Sequence, residues 1–458
     1  MTSNSTEARA PRTVPTLEEL EGPVLLVAPN ARIAAAVAGT LERLARAQRA
    51  PAVLVLAAAE AEGGLGATEG AVGRAHRLAE RIAQRIEAHG ARTVLVPPPG
   101  DLTPDHRAAC VAASAAAPFG GARWVGFLGD GLEALVPARE AHSAARLPRS
   151  AGEPTVSAVI SAWNKHDDVR SNLIGLRAQT RAFDDIVVVD NASTDATVAM
   201  LRADFPEARL VIMPNSAYGA CETFNVGFST AAGDRIAILD DDVVLTPAWL
   251  EATLARMARE PETTAVVSTS VIEPGMPDSY KNAPAVNTER YMSTFRGCAS
   301  LARADALKQA GGYDVRLFLY GNERDLTCRL MNLGYRVLQF PGAETFHMTP
   351  FGIKMGKRSL YFHARNAWLS MLKYAPLGDL LRMPWLVVSK VLLRGKAVEA
   401  AGTVTDAVGT IGIGRAVRET KGAWWVLVKA SASILWNVPY CLKRRAPVRH
   451  SDFELPLQ

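Results

Sequence analysis

The 458-residue sequence contains few cysteines and no long apolar run, and both absences narrow its class. Its five cysteines are scattered without a Cys-x-x-Cys pair, which argues against a disulfide framework and against a thiolate zinc site. Reduced thiols suit a cytosolic compartment. Since no stretch of about 18 uninterrupted apolar residues occurs, the sequence predicts no membrane-spanning helix. The first twenty residues are polar and lack the apolar core of a signal peptide, so we expect a flexible tail over 1–20.

Strong charge and the common phosphate-binding motifs are also missing. The formal net charge is +5, from 51 basic and 46 acidic residues, which is too mild to predict nucleic-acid binding. No Gly-x-Gly-x-x-Gly follows the first predicted strand. The Gly-rich stretch at 62–73 lacks the Gly-Lys-Ser/Thr ending of a phosphate-binding loop, which favours a plain flexible loop.

Residues 21–150 alternate short apolar runs with Ala- and Arg-rich helical patterns, which is typical of an α/β domain. The apolar runs predict strands at 23–28, 51–58, 92–97 and 123–129. We therefore expect a small Rossmann-like α/β domain here, and its role is not indicated by any motif.

A linker with Pro, Gly and Ser at 145–155 precedes a second α/β pattern, over residues 151–375. This pattern predicts strands at 156–163, 184–191, 208–214 and 234–242, each of which ends in polar residues. In an open parallel sheet, ligands bind at the carboxyl ends of the strands. We therefore expect this half of the chain to carry the chemistry.

Three consecutive aspartates, Asp240, Asp241 and Asp242, follow the apolar run Ile-Ala-Ile-Leu. Carboxylates crowded at a strand end repel one another unless a cation or hydrogen bonds offset the repulsion. Because side chains alternate along a strand, Asp240 and Asp242 point to the same side. This arrangement suits Mg²⁺ or Mn²⁺ with positions open for phosphate oxygens, although a plain acidic turn is the alternative.

Several ordered motifs within residues 155–375 resemble those of glycosyltransferase family 2. They are VSAVISAWNKHDDVRSNLIGLRAQ, DIVVVDNASTDAT and AILDDDVVL in the first half, and GGYDVRLFLYGNERDLTCRLMNLGYRVLQFPGAETFH in the second. The sequence looks most like the branch with rhamnosyl- and galactofuranosyltransferase-like members. The resemblance implies an α/β protein of the GT-A fold, whose mostly parallel sheet binds a nucleotide-sugar.

On the donor side, the resemblance implies roles for individual residues. Asp190 matches the aspartate that holds the nucleobase or ribose, Asp242 a metal ligand, and Asp240 a ligand of the ribose or the metal. His347 matches a late histidine that completes the metal sphere or touches the diphosphate, and the implied cofactor is Mn²⁺ or Mg²⁺. Arg365 either reaches the diphosphate or supports the core. The other donor-side candidates are Ala162, Trp163, Asn164, Asn191, Asn225 and Asp241, of which Asn225 reads mainly as a packing and donor-loop residue.

On the acceptor side, Gly297 and Cys298 match the stretch that lines the acceptor site in the family. Two carboxylates are candidates for the catalytic base that takes the proton of the acceptor hydroxyl. The family commonly has Glu-Asp at the place where this sequence has Asn322-Glu323, so the base position is filled by Glu323. Asp325 is the alternative, and it can equally serve as the cap or first-turn acid of a helix.

The implied function is metal-dependent, inverting transfer of a sugar from a UDP- or dTDP-sugar to a glycan or polyprenyl-linked acceptor in cell-envelope or polysaccharide biosynthesis. A single base opposite the leaving group agrees with inversion. Two other functions stay open, a nucleotidyltransferase on a similar fold and a non-catalytic nucleotide-sugar-binding scaffold. The turn SAWNKHDD lacks the glycines of the first, and the complete set of Asp240, Asp242, Glu323 and His347 disfavours the second.

Residues 376–446 contain eleven Lys or Arg against four Asp or Glu, interleaved with Trp385, Trp424, Trp425, Trp436 and Tyr440. Apolar stretches with basic interruptions at 380–396 and 422–438 are typical of interfacial helices. This composition predicts a helical region that attaches to an anionic membrane surface, on the cytoplasmic face, without crossing the bilayer. The alternative is that the aromatic residues pack on the catalytic domain. Residues 447–458 are expected to form a short tail.

Overall fold

The computed structural model describes the chain in eleven stretches, which are residues 20, 23–28, 42, 44–45, 51–55, 82–96, 124–128, 132–137, 152–351, 356–386 and 420–455. The tail predicted at 1–20, apart from Leu20, lies outside the described residues, as do the Gly-rich loop at 62–73 and residues 387–396 of a predicted helix. The chain divides into two compact units, with the boundary near residue 150.

The first unit contains a five-stranded sheet in the order Ala52–Val55, Val24–Ala28, Thr93–Val96, Trp124–Leu128, Leu132–Pro137. The first four strands are parallel, and the fifth pairs antiparallel with its neighbour. Residues 82–89 are helical. All four strands predicted from the apolar runs are present among the described residues. The fifth strand was not predicted.

The second unit is built on a nine-stranded mixed sheet. Eight strands follow one another in the order Val243–Leu245, Arg336–His347, Thr264–Ile272, Ala299–Arg303, Arg235–Asp240, Val156–Ala162, Asp185–Asp190 and Arg209–Ile212. The ninth, Arg290–Tyr291, pairs with Arg336–His347. The predicted α/β class is confirmed. The four strands predicted for the donor half pair in parallel, while antiparallel pairings dominate among the strands that follow them in the chain.

The second unit also contains helices throughout its length. They are His166–Arg177, Thr197–Asp204, Ala220–Thr230, Trp249–Ala258, Asp278–Lys281, Pro284–Asn287, Ala304–Ala310, the 3₁₀ turn Val315–Leu317, Asn322–Asn332, Lys357–Tyr374, Leu377–Leu386 and Ala423–Lys443. Helix Ala220–Thr230 lies close against the sheet at Gly227, where a Cβ atom would overlap the side chain of Val159. Gly227 is therefore a packing residue.

Two long helices pack together at the C-terminal end of the chain. We call Lys357–Tyr374 the supporting helix and Ala423–Lys443 the C-terminal helix. The C-terminal helix turns Ala423 and Val426 toward Leu360 of the supporting helix. Among the described residues, no helix is long and apolar enough to cross a membrane.

The segment that follows the C-terminal helix folds back onto the second unit. Val448 is buried in a cluster with Cys328, Met331 and Tyr374. Asp452 accepts hydrogen bonds from the guanidinium of Arg336 at 2.7 and 3.0 Å. Residues 447–455, expected as a tail, are thus part of the packed structure.

Candidate active site

The carboxyl ends of three parallel strands bring the donor-side candidates to one edge of the sheet. Val156–Ala162 lies between Asp185–Asp190 and Arg235–Asp240, with Ala162 opposite Asp190 and Ser161 opposite Asp240. All three strands have almost wholly buried interiors. A parallel sheet covered on both faces exposes its polar strand ends to ligands, and here Asp190 and Asp240 end their strands.

A strand pairing distant in sequence brings His347 to the aspartates. Val243–Leu245 runs antiparallel to Arg336–His347, with Val243 opposite His347. As a result, one potential ligand atom from each of Asp240, Asp242 and His347 lies within 4.8 Å of the others. The structure thus places together the three residues predicted as metal ligands.

Asp242 and His347 form a buried, charge-assisted pair. Nε2 of His347 lies 3.2 Å from Oδ1 of Asp242, and its Nδ1 lies 3.0 Å from Oε1 of Glu273. Burial opposes ionisation of both groups, but their mutual contact outweighs it. The pKa of Asp242 is therefore held below its usual range, and that of His347 is raised. Glu273 fixes the orientation of the imidazole, in the manner of a carboxylate behind a ligating histidine.

Lys165 is a second cation beside the aspartates. Its Nζ lies 2.6 Å from Oδ2 of Asp242, 3.4 Å from Oδ1 of Asp241 and 3.8 Å from Oδ2 of Asp168. Burial raises the pKa of Asp240 to about 6, with a further contribution from the charge of Asp242. Burial raises that of Asp241 to about 7, against the opposing charge of Lys165. The cluster thus combines a strongly acidic carboxylate with two that ionise near neutral pH.

The donor-side loops are joined by hydrogen bonds around Asn164 and Asp190. Oδ1 of Asn164 accepts from the backbone N–H of Thr194 at 2.7 Å, and Oδ2 of Asp190 accepts from that of Ser193 at 2.8 Å. Among the described residues, Oδ1 of Asp190 has no hydrogen-bond partner although the side chain is buried, and the same is true of Oδ1 of Asn191. Unpartnered buried acceptors are rare and call for a donor. Trp163 is exposed, and its backbone N–H donates to Asp241 at 3.3 Å.

A cavity of about 320 Å³ joins the aspartate cluster to Glu323. Its wall includes Asp240 and His347 together with Gly297, Cys298 and Glu323. Asn322 donates a hydrogen bond of 2.7 Å from Nδ2 to Oε1 of Glu323. Burial, followed by the charge of Asp240, raises the pKa of Glu323 to about 7 despite this bond. A carboxylate with that pKa is suited to act as a general base near neutral pH.

Asp325, the alternative base, does not line this cavity. It is fully buried in the first turn of helix Asn322–Asn332, where it forms ion pairs with Lys373 and Arg329. Lys373 also contacts Asp314 at 2.7 Å. Since both partners hold its oxygens inside the protein, Asp325 has a structural role, and we correct its prediction as a catalytic candidate. The helix begins at Asn322, three residues before the start expected from the sequence.

Two predicted donor-side residues instead hold the chain in place. Asn225 exchanges two hydrogen bonds with the backbone of Tyr313, at 2.9 and 2.7 Å. The guanidinium of Arg365 is buried, and it donates to Ser433 at 2.9 Å and to the carbonyl of Arg316 at 2.9 Å. These contacts favour the packing role expected for Asn225 and the core-supporting alternative for Arg365, and they argue against direct donor binding by either residue.

Four residues of the site were not predicted. Lys165 contacts Asp242, and Glu273 contacts His347. Tyr320 and His363 line the cavity, with their rings stacked at 4.3 Å. Burial lowers the pKa of His363 to about 4, which leaves a neutral imidazole at the wall. The stretches SAWNKHDD and YFHARN contain two of these residues, but only the tertiary fold shows what they contact.

Comparison with known proteins gives one family match and several relatives. Residues 157–305 match the model of the family "Glycosyl transferase family 2". The chain is 30% identical over 200 residues to the galactofuranosyltransferase GlfT1 of Mycobacterium tuberculosis, a match that covers 39% of this chain and 66% of that protein. It is 25% identical over 210 residues to the N-acetylglucosaminyl-diphospho-decaprenol L-rhamnosyltransferase of the same organism, covering 35% of this chain and 66% of that protein.

A third relative is the O-antigen biosynthesis protein RfbC of Myxococcus xanthus, 24% identical over 253 residues, with 49% of this chain and 19% of that protein covered. The chain thus spans between 19% and 66% of the length of these three relatives. Among solved structures, it is similar to the mannosyltransferase PcManGT from Pyrobaculum calidifontis in complex with GDP-Man and Mn²⁺. The TM-score is 0.42 at 18% identity, over 64% of this chain and 90% of that chain.

The family match covers the strand ends and the three aspartates described above. These findings confirm the resemblance that the sequence motifs indicate. The chain contains a glycosyltransferase family 2 domain, in the branch with rhamnosyl- and galactofuranosyltransferase relatives.

Proposed function

We propose that this chain catalyses metal-dependent, inverting transfer of a sugar from a nucleoside-diphosphate sugar to a hydroxyl of a glycan or polyprenyl-linked acceptor, in cell-envelope polysaccharide biosynthesis. The observation that carries the proposal is the single cavity lined by Asp240, His347 and Glu323. This cavity offers both cation ligands for a diphosphate and a carboxylate with a raised pKa for a hydroxyl.

The donor set of the cluster fits a divalent cation. Two carboxylates and one imidazole, with atoms within 4.8 Å of one another, suit Mn²⁺ or Mg²⁺ with positions left for phosphate oxygens. Asp240, Asp242 and His347 would hold the ion. When bound, it supplies Lewis-acid stabilisation of the charge that grows on the leaving diphosphate. Lys165 adds a positive charge at the same edge of the sheet.

The nucleotide is proposed to be UDP or dTDP. Uracil and thymine each present an N3–H donor, and the buried Oδ1 of Asp190 is an acceptor without a partner among the described residues. Asp190 and the adjoining loop residues Trp163, Asn164 and Asn191 lie at the strand ends beside the aspartate cluster. A nucleoside bound along this edge would direct its diphosphate toward Asp242.

Glu323 is the proposed base. Three carboxylate residues line the cavity, and two of them are otherwise engaged, Asp240 in the cation cluster and Glu273 with His347. Glu323 takes the proton of the acceptor hydroxyl while the acceptor oxygen bonds to the anomeric carbon and the carbon–phosphate oxygen bond breaks. With no second free carboxylate on the described wall to form a glycosyl intermediate, a single displacement with inversion follows.

The acceptor is proposed to be membrane-linked, and the protein to act at the cytoplasmic face of the cell membrane. One relative is named for transfer to a diphospho-decaprenol. The C-terminal helix, packed on the supporting helix that contributes Asn366 and Ser370 to the cavity wall, has a strongly apolar exposed face. Both observations favour an acceptor held at a lipid surface.

The test is a screen of the full chain with UDP-, dTDP- and GDP-sugars, with and without Mn²⁺. We expect thermal stabilisation and release of the nucleoside diphosphate with at least one UDP- or dTDP-sugar, only when the cation is present. NMR of the product should show the inverted anomer. Cation-independent turnover or a retained anomer would contradict the proposal.

Asp242→Asn is the matching variant. It keeps the size of the side chain but removes the charge between His347 and Lys165, so we expect loss of Mn²⁺-dependent nucleotide binding with the fold retained. Asp305→Asn, at an exposed helix position, is the control and should behave as wild type. Asp242→Asn activity above a tenth of the wild-type value would exclude the proposed role.

A further inference from the structure

The C-terminal helix exposes a row of large apolar side chains. Trp424, Trp425 and Trp436 have 72%, 69% and 84% of their surface exposed. We call them, together with Val428, Leu435 and Leu442, the apolar face. Positions 424, 428, 435 and 442 are four or seven residues apart, which is one or two helical turns. Positions 425 and 436 are eleven residues apart, which is three turns. These side chains therefore form one continuous stripe along the helix.

The opposite side of the same helix is firmly packed. Ala430, Asn437 and Cys441 are buried, and polar contacts connect the helix to the second unit. Tyr440 donates to Asp314 at 2.9 Å, and Arg316 donates to Oδ1 of Asn437 at 3.2 Å. The helix is therefore held with its apolar face outward, which argues against the alternative that the tryptophans of this helix pack on the catalytic domain.

The exposed area is larger than a soluble monomer usually shows. A tryptophan buries about 150–250 Å² when covered. Three of them at this exposure, with two leucines and a valine, exceed the few hundred Å² of a typical surface patch. Patches of this size usually mark an interaction surface rather than a water-exposed one.

The charge around the apolar face indicates which surface covers it. Residues 421–445 contain five basic residues and no acidic one, namely Lys421, Lys429, Lys443, Arg444 and Arg445. Lys429 lies within the exposed side, and Lys421, Lys443 and Arg444 lie exposed at the two ends. Tryptophan with lysine and arginine is the composition that favours the headgroup region of an anionic bilayer, whereas a second copy of the same basic face would repel it.

We propose that the apolar face docks into the headgroup region of an anionic lipid bilayer, with the C-terminal helix lying parallel to the membrane plane. The helix is about 31 Å long at 1.5 Å per residue, but one side is committed to the protein along its length. It therefore enters the surface and does not span it. Lys429 would reach the phosphate groups with its ammonium while its methylene chain lies among the apolar side chains.

A second exposed ridge follows the supporting helix. Leu377, Leu381 and Trp385 are exposed and spaced four residues apart on helix Leu377–Leu386. The same helix packs inward through Leu380, against a cluster that contains Met371 and Ala375. Two helices that flank the supporting helix thus present apolar ridges, each with its inner side packed.

Packed helices connect the apolar face to the segment that precedes Glu323. Asn366 of the supporting helix donates to the carbonyls of Leu317, Leu319 and Tyr320, and thereby holds the segment that leads into Glu323. The residues just before that segment also contact the C-terminal helix, through the hydrogen bonds of Asp314 and Arg316 given above. The purpose of the docking, delivery of a polyprenyl-linked acceptor, rests on the proposed function, but the docking itself does not.

The experiment is sedimentation of the full chain with vesicles of phosphatidylcholine alone or with 30% phosphatidylglycerol. We expect at least tenfold tighter binding to the anionic vesicles, weakened at 0.5 M salt, with a blue shift of tryptophan fluorescence. The variant W424Q/W425Q/W436Q should lose at least tenfold in binding. The control Leu333→Gln, an exposed apolar residue outside the apolar face, should bind as wild type.

Equal or negligible binding to both vesicles, or unchanged binding of the triple variant, would overturn the proposal. A concentration-dependent dimer that forms without vesicle binding and is lost in the triple variant would also overturn it. The apolar face would then be covered by a second copy of the chain. Stabilisation by UDP and Mn²⁺ is measured on the same samples. If UDP and Mn²⁺ stabilise the protein but vesicles do not bind it, only the docking proposal is wrong. If vesicles bind it but UDP and Mn²⁺ do not stabilise it, only the proposed function is wrong.

Discussion

Nζ of Lys165 lies 2.6 Å from Oδ2 of Asp242, while Nε2 of His347 lies 3.2 Å from Oδ1 of the same carboxylate. The central carboxylate of the cluster is thus held between two positive groups. Contact with Asp241 and Asp242 raises the pKa of Lys165 although burial opposes it, so the ammonium is charged throughout the physiological range. In the cation-free protein, Lys165 offsets part of the repulsion among the three aspartates.

This contact predicts that Lys165→Gln increases the affinity of the cation-free site for Mn²⁺. The substitution removes a positive charge that repels the ion, and two unit charges about 4 Å apart interact by about 4 kcal/mol at an effective dielectric constant of 20. Allowing for screening, we expect the Kd for Mn²⁺ to fall at least about threefold. The free-ion EPR signal measures it, with Lys308→Gln as an exposed control. Weaker Mn²⁺ binding would show that Lys165 instead positions Asp242.

Glu323→Gln is expected to lower kcat by about a hundredfold or more, because general-base help is worth about 10²–10⁴ in rate. Nucleotide and Mn²⁺ binding should change little. Since the pKa of Glu323 is raised to about 7, wild-type kcat should increase from pH 6 to pH 8 as the carboxylate ionises. The residual activity of the variant should lack this rise. A variant with the wild-type pH profile would exclude Glu323 as the base.

Glu323→Gln is also expected to stabilise the folded protein, although it lowers kcat. In the unfolded chain a glutamate ionises near 4.3, and in the folded protein Glu323 ionises near 7, so the folded state binds the proton more tightly. The stability that this proton contributes is present below the unfolded pKa and is lost as pH rises to about 7. As pH rises, the free energy of unfolding of the wild type should therefore fall by up to about 3 kcal/mol, a loss that Glu323→Gln should not show. Urea unfolding should show Glu323→Gln more stable than wild type at pH 8, with a smaller difference at pH 4.5. An equal difference at both values would contradict the buried titration.

The proposed cation ligands and the proposed base could be identified from the sequence because each belongs to a short motif with its own chemistry. The aspartates end a strand, His347 ends another, and Glu323 opens a helix. Lys165 and Glu273 belong to no such motif. Lys165 meets Asp242 across 77 residues, and Glu273 meets His347 across 74, so these contacts depend on the fold of the sheet.

Glu323 and Asp325 could not be separated by sequence. Both lie in the first turn of one helix, two residues apart, and side chains at that spacing point to nearly opposite sides. Only the packing of the supporting helix, which carries Lys373, shows which side is interior. Asn225 and Arg365 were assigned to the donor for a related reason, since a polar residue that supports backbone carbonyls looks the same in sequence as one that binds a ligand.

Asp325→Asn is expected to destabilise the protein rather than to remove catalysis. It leaves the buried ammonium of Lys373 with Asp314 as its remaining carboxylate partner among the described residues, and breaking a buried pair costs about 3–5 kcal/mol. Urea unfolding should show a loss of this order, while kcat of the folded fraction stays within about tenfold of wild type. Asp305→Asn serves as the exposed control. A hundredfold loss of kcat without loss of stability would return Asp325 to the role of base.

Gly297→Ala tests whether the shape of the cavity wall positions Glu323. A Cβ atom at Gly297 would overlap the carboxylate of Glu323, which would have to rotate away from its hydrogen bond with Asn322. Because the three atoms nearest to the added Cβ all belong to Glu323 and none to the cation cluster, we expect kcat to fall at least tenfold with the Kd for Mn²⁺ unchanged. The pH at which kcat reaches half its maximum should shift as well, since the new position changes the burial of the carboxyl. Gly378→Ala, where a Cβ meets no atom within 4 Å, is the matched control. If Gly297→Ala and Gly378→Ala both keep wild-type kcat and pH profile, the carboxylate of Glu323 does not need the space that Gly297 leaves.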